Sequence, residues 1–230
     1  MSNKIMVFVT DPNIKDCLTK DDVITPLDLE NDFDIYLCIP QDKLTQWKDL
    51  LTLIVNQFLE YFKQRTLENP TPILFYLEEF AELGKIPAVL NGLATLRERG
   101  ITICLVCQSL VQPDSIYSKD IRRAIVDNVS YIAILKATDA ETQDYFSRLV
   151  GTWDKPYQSN SESYSEILQL PTGTSISVKP EEKRIIKPEE FATLSDIVLL
   201  TPYGFMRAEK LPYYRHNAFN IPQDRLNLRI

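Results

Sequence analysis

The sequence predicts an α/β fold: a mostly parallel sheet flanked by helices, with a C-terminal β-hairpin. Three observations predict it. Between residues 33 and 150, short apolar runs of strand length alternate with longer stretches of helical periodicity. The runs are apolar on both faces, as strands of a helix-covered parallel sheet are. After Gly151 the sequence turns polar, and near the end two short strand-like runs flank Thr201-Pro202.

Ile35-Tyr-Leu-Cys-Ile39, closed by Pro40, reads as the first buried strand. Leu44, Trp47, Leu50, Leu51, Ile54, Phe58, Tyr61 and Phe62 then recur at helical spacing to about Gln64. Pro70 and Pro72 interrupt, and Ile73-Leu-Phe-Tyr-Leu77 is the second strand, running into Glu78-Glu79-Phe80. A helix from about Pro87 to Arg99 has proline suited to its first turn and Gly100 to its C-cap. Ile101–Cys107 is the third strand, residues 118–127 read as helix, and Tyr131-Ile-Ala-Ile-Leu135 is the fourth strand. Thr138-Asp-Ala-Glu141 has the form of a capping box opening a helix to Val150, closed by Gly151. Residues 152–182 read as a long polar loop or a loose hairpin. Lys187–Leu194 is a short helix, Asp196–Leu200 and Tyr203–Ala208 form an edge hairpin, and the tail from Leu211 wraps the surface.

At 230 residues the chain has the length of one domain, or of one with an insertion. Hydrophobic residues make up 44%, enough for a sizeable core and too many for a disordered chain. The net charge of −7 argues against a protein that coats nucleic acid. Only 6 glycines occur, and phosphate cradles are built from glycine because backbone N–H groups must approach the phosphates unobstructed. Gly84-Lys85 is followed by Ile86, and Gly84, Gly92 and Gly100 lie eight apart, so neither a Walker A loop nor a dinucleotide-binding fingerprint is present in the 230 residues.

The four cysteines form no secreted disulfide framework. Cys104-Leu-Val-Cys107 has C-x-x-C spacing, but within a strand residues three apart point to opposite faces, so burial explains it better than redox or zinc chemistry. No apolar stretch approaches the roughly 18 residues of a membrane helix, and the expectation is a cytoplasmic chain. His216, the single histidine, sits in a polar tail and reads as a surface residue.

The chemistry concentrates where strand Ile73–Leu77 delivers Glu78 and Glu79 to the sheet edge. Ligands of open α/β sheets bind beyond the carboxyl ends of the strands. An apolar strand ending in two acids has the Walker B arrangement: one acid serves Mg²⁺ and the next activates the attacking water. Two solvated acids at a strand end are the plainer explanation. The next strand ends in Gln108, a neutral amide at the same edge, placed to meet a γ-phosphate or a water. Arg97 and Arg99 lie near a helix end, where an arginine-finger role or a solvated terminus are both open.

Pro72-Ile-Leu-Phe-Tyr-Leu-Glu-Glu-Phe-Ala-Glu-Leu-Gly-Lys-Ile-Pro87 resembles the Walker B segment of the type IV secretion coupling proteins, the TraG/TraD-like ATPases of conjugation. Leu96-Arg-Glu-Arg-Gly-Ile-Thr-Ile-Cys-Leu-Val-Cys-Gln-Ser109 is similar to the family's arginine-bearing turn and the strand that ends in its sensor glutamine. Tyr145-Phe-Ser-Arg-Leu-Val-Gly151, Pro188–Leu194 and Ala208–Tyr214 resemble its later segments in the same order. The likeness covers residues 1–219, leaving 220–230 as a tail. It implies the C-terminal part of a RecA-like ATPase domain, as a truncated gene product or one half of a split protein, with membrane helices and Walker A loop belonging upstream.

The resemblance also implies roles. Glu79 is the general base, Glu78 the Mg²⁺-side acid, Gln108 the γ-phosphate sensor, and Arg97 reaches a neighbour's site in a hexamer. ATP and Mg²⁺ belong to the full-length family, with neither expected to bind this chain tightly by itself. The implied partners are a relaxase or relaxosome accessory protein, the secretion channel, and DNA, at the inner face of the membrane. A second reading is a non-catalytic module that binds relaxosome or channel proteins. A third is an unrelated doubly wound enzyme with Glu78, Glu79 and His216 as acid–base groups, against which stands the place of His216 in a polar tail. One departure is chemical: the family begins its acid pair with Asp where this chain has Glu78.

Overall fold

The computed structural model describes residues 3–21, 23–66, 68, 70–164, 171–212 and 214, with only the backbone for 3–5, 7, 155–164 and 171–181. His216 and nearly all of the tail lie outside the described residues. The chain divides into two compact units, Met1–Val129 and Ser130–Ile230.

The first unit opens with two helices, α1 (Asn3–Thr10) and α2 (Pro12–Thr19). Asp11-Pro12 is a start signal that the sequence reading passed over: Asp caps and proline suits the first turn. The Asp11 carboxylate accepts from the Asn13 and Ile14 amides, and its second oxygen accepts from Trp47 Nε1 at 2.9 Å and Gln46 Nε2 at 3.2 Å. The Trp47 indole chiefly, then the two amides and the Lys43 charge, hold this acid below its ordinary 3.8 against the opposing effect of burial.

Next come α3 (Gln41–Phe62), β1 (Ile73–Leu77), α4 (Pro87–Thr95), a 3-10 turn over Arg97–Arg99, β2 (Ile101–Leu105), α5 (Asp114–Tyr117) and α6 (Lys119–Asn128). β1 and β2 pair in parallel, Ile73 opposite Ile101 and Leu77 opposite Leu105. Under them lies a core of Val55, Leu59 and Phe62 from α3, Ile73 and Leu77 from β1, and Phe80, Ile86, Val89, Leu96 and Tyr117. The expected helix of residues 87–99 ends at Thr95 and tightens into the 3-10 turn, which Gly100 closes with φ 72°.

Three expectations change here. Ile35–Ile39 forms no ladder among the described residues, and Tyr36 and Leu37 are exposed. Apolar composition marked it as a strand, but composition does not supply the partner a strand needs. β1 is covered on one face only: Ile73 and Leu77 are buried whereas Leu74 and Tyr76 are each 59% exposed. The helix after Pro40 is present, but its buried stripe is Leu51, Val55, Leu59 and Phe62. Leu50, Leu53, Ile54, Phe58 and Tyr61 make α3 apolar around most of its circumference, so spacing alone could not choose the face.

In the second unit β3 (Ile132–Ile134) is followed by α7 (Ala140–Val150), the antiparallel ribbon β4 (Thr152–Tyr164) and β5 (Pro171–Arg184), a 3-10 turn over Pro188–Thr193, β6 (Asp196–Thr201) and β7 (Gly204–Glu209). Of the two forms left open for 152–182, the backbone takes the hairpin, Thr152 opposite Arg184. β6 and β7 form the expected C-terminal hairpin. β3, read as a strand of the parallel sheet, pairs antiparallel with β6, Ile132 opposite Leu200. α7 starts one residue later than the capping box suggests, with Asp139 accepting from the Thr142 amide at 2.8 Å. Ser147 is fully buried and donates to the Ile186 carbonyl at 2.7 Å, while Phe146 packs on Phe191.

Leu59, at 0% exposure, has no solvent-side room to relax, so Leu59→Ala should destabilise the chain by about 2–5 kcal/mol in urea unfolding. A loss under roughly 1 kcal/mol would contradict this core. For Asp11 the folded acid holds its proton less readily than the unfolded one. Its contribution is therefore complete above 3.8 and is lost as pH falls through the lower folded value. Stability measured from pH 6 down to pH 2 should fall less steeply in Asp11→Asn than in the parent chain.

Candidate functional site at the carboxyl ends of β1 and β2

β1 and β2 are tied together at their carboxyl ends by backbone bonds that continue past the ladder. Val106 N–H donates to Leu77 O and Phe80 N–H to Val106 O, both at 3.0 Å. The first brings β2 level with the end of β1; the second turns the chain sharply after Glu79. Glu79 takes φ 48°, the left-handed region that costs a side-chain-bearing residue about 1–2 kcal/mol. In return Phe80 points inward at 1% exposure while the Glu79 side chain stays at the rim.

There Gln108 Nε2 donates to Glu79 Oε1 at 3.0 Å. The structure thus brings together two of the four predicted site residues, from strands 29 positions apart. Glu78 directly follows β1 and is exposed. Arg97 stands at the opposite edge, ahead of β2. Five strand residues at about 3.3 Å each put roughly 16 Å between it and the Glu79 rim. Arg99, also considered a finger, is committed elsewhere. Its guanidinium donates to the Arg65 carbonyl, Arg65 donates back to the Arg99 carbonyl, and Arg65 pairs with Glu30 at 2.8 Å.

The acid turn is held from two sides by residues the sequence reading did not single out. On α3, Thr52 Oγ1 donates to Leu83 O at 2.9 Å and Asn56 Oδ1 accepts the Ala88 amide at 3.0 Å. Thr52 and Asn56, one turn apart on an apolar helix, were the available signal. On the other side, the buried Tyr117 hydroxyl accepts Ile86 N–H at 2.8 Å and donates to Gly84 O at 2.9 Å. Gly84 sits at φ 86°, which glycine adopts without strain.

Cys107 lies behind the acids. Burial chiefly, together with the Glu79 charge and against an Ala81 amide bond, pushes its thiol up to about 11. Burial also raises Cys104. Neither is a ready thiolate at neutral pH, in keeping with the structural reading of the pair. Among the described residues no group of three His, Cys, Asp or Glu side chains is placed to hold a metal. Two adjacent carboxylates nevertheless suit Mg²⁺, which usually takes one or two protein oxygens and completes its shell with water and phosphate. The two carboxylates fit the acid side of such a site.

The sequence profile of the family described as "Type IV secretory system Conjugative DNA transfer" matches residues 2–228. The chain belongs to this family. It is 26% identical to the VirD4 protein of Agrobacterium fabrum over 186 residues, 78% of this chain and 27% of VirD4. It is 29% identical over 119 residues to a probable conjugal transfer protein TraG of Sinorhizobium fredii, 51% of this chain and 19% of TraG. The chain therefore spans about a quarter of the length of these curated relatives. Among solved structures it is similar to the plasmid coupling protein TrwB in complex with the non-hydrolysable GTP analogue GDPNP. The TM-score is 0.67 at 17% identity, covering 86% of this chain and 46% of that one. TrwB in complex with ADP and Mg²⁺ matches with a TM-score of 0.66 at 16% identity. The chain thus carries part of the RecA-like coupling-protein fold, a parallel strand pair followed by C-terminal antiparallel strands. No helix among the described residues is long and apolar enough to cross a membrane.

Alkylation gives a direct check on the rim. At pH 8, iodoacetamide should modify the exposed Cys17 and Cys38 well before Cys107, and Glu79→Gln, which removes the adjacent negative charge, should accelerate Cys107. Mass spectrometry showing Cys107 as the fastest site would contradict this geometry.

Proposed function

We propose that this chain supplies the water-activating half of an ATP site in a DNA-translocating type IV coupling protein for conjugative transfer. The observation that carries the reading is the Glu79–Gln108 contact at the carboxyl ends of two parallel strands, in a member of the conjugative DNA transfer family. Glu79 is positioned as the general base: its carboxylate, held at the rim, takes a proton from the attacking water. Gln108, whose amide already meets that carboxylate, faces the γ-phosphate and orients the same water. Glu78 is the Walker B acid on the Mg²⁺ side, its added methylene moving the carboxylate about 1.5 Å further from the backbone than Asp would. Glu78 would hold Mg²⁺ on its side of the site, where the ion would supply positive charge against the phosphates. Arg97, at the far edge of its own strand pair, serves the site of a neighbouring subunit in a ring.

Positioning of the phosphates is most of phosphoryl-transfer catalysis, and these residues include no P-loop Lys or Thr to do it. The nucleotide is therefore held by polypeptide outside the 230 residues. DNA, a relaxase or relaxosome accessory protein and the secretion channel are the partners of the assembled protein, at the inner face of the membrane.

The purified chain should show ATP turnover no higher than buffer; turnover that Glu79→Gln abolishes would overturn the divided site. In donor cells Glu79→Gln should lower plasmid transfer by about 100-fold or more, the scale of losing a general base. Undiminished transfer by Glu79→Gln and Gln108→Ala donors, with relaxosome proteins still retrieved by the chain, would assign it instead to a non-catalytic binding module.

A further inference from the structure

We propose that Tyr117 is a positioning residue for this site, coupling the loop after Gln108 to the turn that carries Glu79. Its mechanistic meaning rests on the ATPase reading; the coupling itself is a property of the first unit.

The connections form a closed ring. Gln108 N–H donates to Gln112 Oε1 at 3.3 Å, and Gln112 N–H donates to Ser109 Oγ at 3.2 Å, so the loop beyond the sensor is folded on itself. It leads through Pro113, which is buried, into α5, and Tyr117 N–H bonds back to Pro113 O at 2.8 Å. α5 is anchored to α6 by Asp114 and Arg122 at 2.9 Å, both side chains largely shielded. Tyr117 ends α5. Its ring stacks on Phe80 with centroids 5.2 Å apart and planes 16° from parallel, and its hydroxyl spans the Gly84 carbonyl and the Ile86 amide. Phe80 is the residue after Glu79, and Glu79 returns to Gln108 at 3.0 Å.

Burial by itself does not call for the hydroxyl. Phenylalanine would fill the same space without a polar atom needing two partners at 1% exposure. What the hydroxyl adds is fixation of the backbone at 84 and 86, the far end of the turn whose near end is Glu79. Thr52 and Asn56 hold that turn from α3, while Tyr117 holds its far end, Gly84 and Ile86, from α5. A shift of Gln108 toward a phosphate is thus passed through Gln112 and α5 to Tyr117, and from Tyr117 to Phe80 and the base.

The test uses the intact chain and the side-chain amide resonances of Gln108 in a ¹⁵N spectrum, assigned by their loss in Gln108→Ala. Glu79→Ala defines where they lie without the carboxylate. Tyr117→Phe should keep a cooperative unfolding transition, speed amide exchange at residues 84–86 about tenfold, and move the Gln108 resonances toward their Glu79→Ala positions. Gln112→Ala cuts the ring at its other end, outside the core, and should move them the same way. Leu59→Ala destabilises the unit from its opposite side and should leave them in place. If Gln108 keeps its parent resonances in Tyr117→Phe, Tyr117 only packs and the coupling is refuted. If Tyr117→Phe does not fold, Gln112→Ala decides by amide exchange at residues 84–86, which quickens if the ring transmits and stays at the parent rate if it does not. None of these signals requires turnover, so a failed ATPase reading and a failed coupling are told apart.

Discussion

Two backbone hydrogen bonds, Val106 N–H to Leu77 O and Phe80 N–H to Val106 O, are the constraint on which the rim of this molecule depends. They extend the parallel pairing of β1 and β2 past the last ladder residues and stop both strands at the same level. Without the first, Gln108 would ride past the end of β1. Without the second, the chain would have no reason to turn at Glu79. A left-handed conformation at a glutamate is unfavourable by itself, so something must over-determine it. Here the burial of Phe80 and the pairing of its amide do so together. The strain is local, while the interactions that hold it reach α3, α5 and β2.

That distribution explains why the polar groups around the turn outnumber those at its tip. Thr52, Asn56 and Tyr117 each bond a backbone group between Leu83 and Ala88, in an irregular stretch and the first turn of α4, whose groups have no acceptor or donor of their own in a helix or ladder. A buried loop left with such groups unpaired costs several times what each bond returns when made. These side chains are therefore part of the acid turn as much as Glu79 is. They lie 27 and 23 residues before it and 38 after it.

The same separation decides what could be read from the sequence. Glu79 and Gln108 were legible because each follows an apolar run, and parallel strands that pair from Ile73 opposite Ile101 bring the residues after them to one rim. Helices α3, α4, α6 and α7 announced themselves by period and by proline, Asp or Gly at their ends. The buried face of α3 did not, because apolar residues surround most of it. Ile35–Ile39 and the outer face of β1 show the opposite failure: apolar composition promised cover that no described residue supplies, as Tyr36, Leu74 and Tyr76 make plain. β3 looked like another parallel strand because three apolar residues carry no mark of direction; its partner β6, more than 60 residues on, sets it antiparallel. Thr52 and Asn56 show only as polar residues one turn apart on an apolar helix, and Tyr117 shows not at all, since their partners are backbone atoms far away in the chain.

Arg97 puts the proposed division of labour to a geometric test of its own. Within the first unit it belongs to the amino-terminal edge of β2, and Glu79 to the carboxyl-terminal rim, with the length of the strand between them. A side chain reaching about 7 Å cannot close a gap of roughly 16 Å, and the 3-10 turn that carries it is pinned by Gly100 and by the Arg65–Arg99 exchange. A rigid strand pair therefore offers acid and amide at one end and an arginine at the other. Arg97 therefore does not serve the Glu79 rim of its own strand pair. Under the proposed function, the site it serves belongs to another copy, and the length of β2 is what keeps the two ends apart.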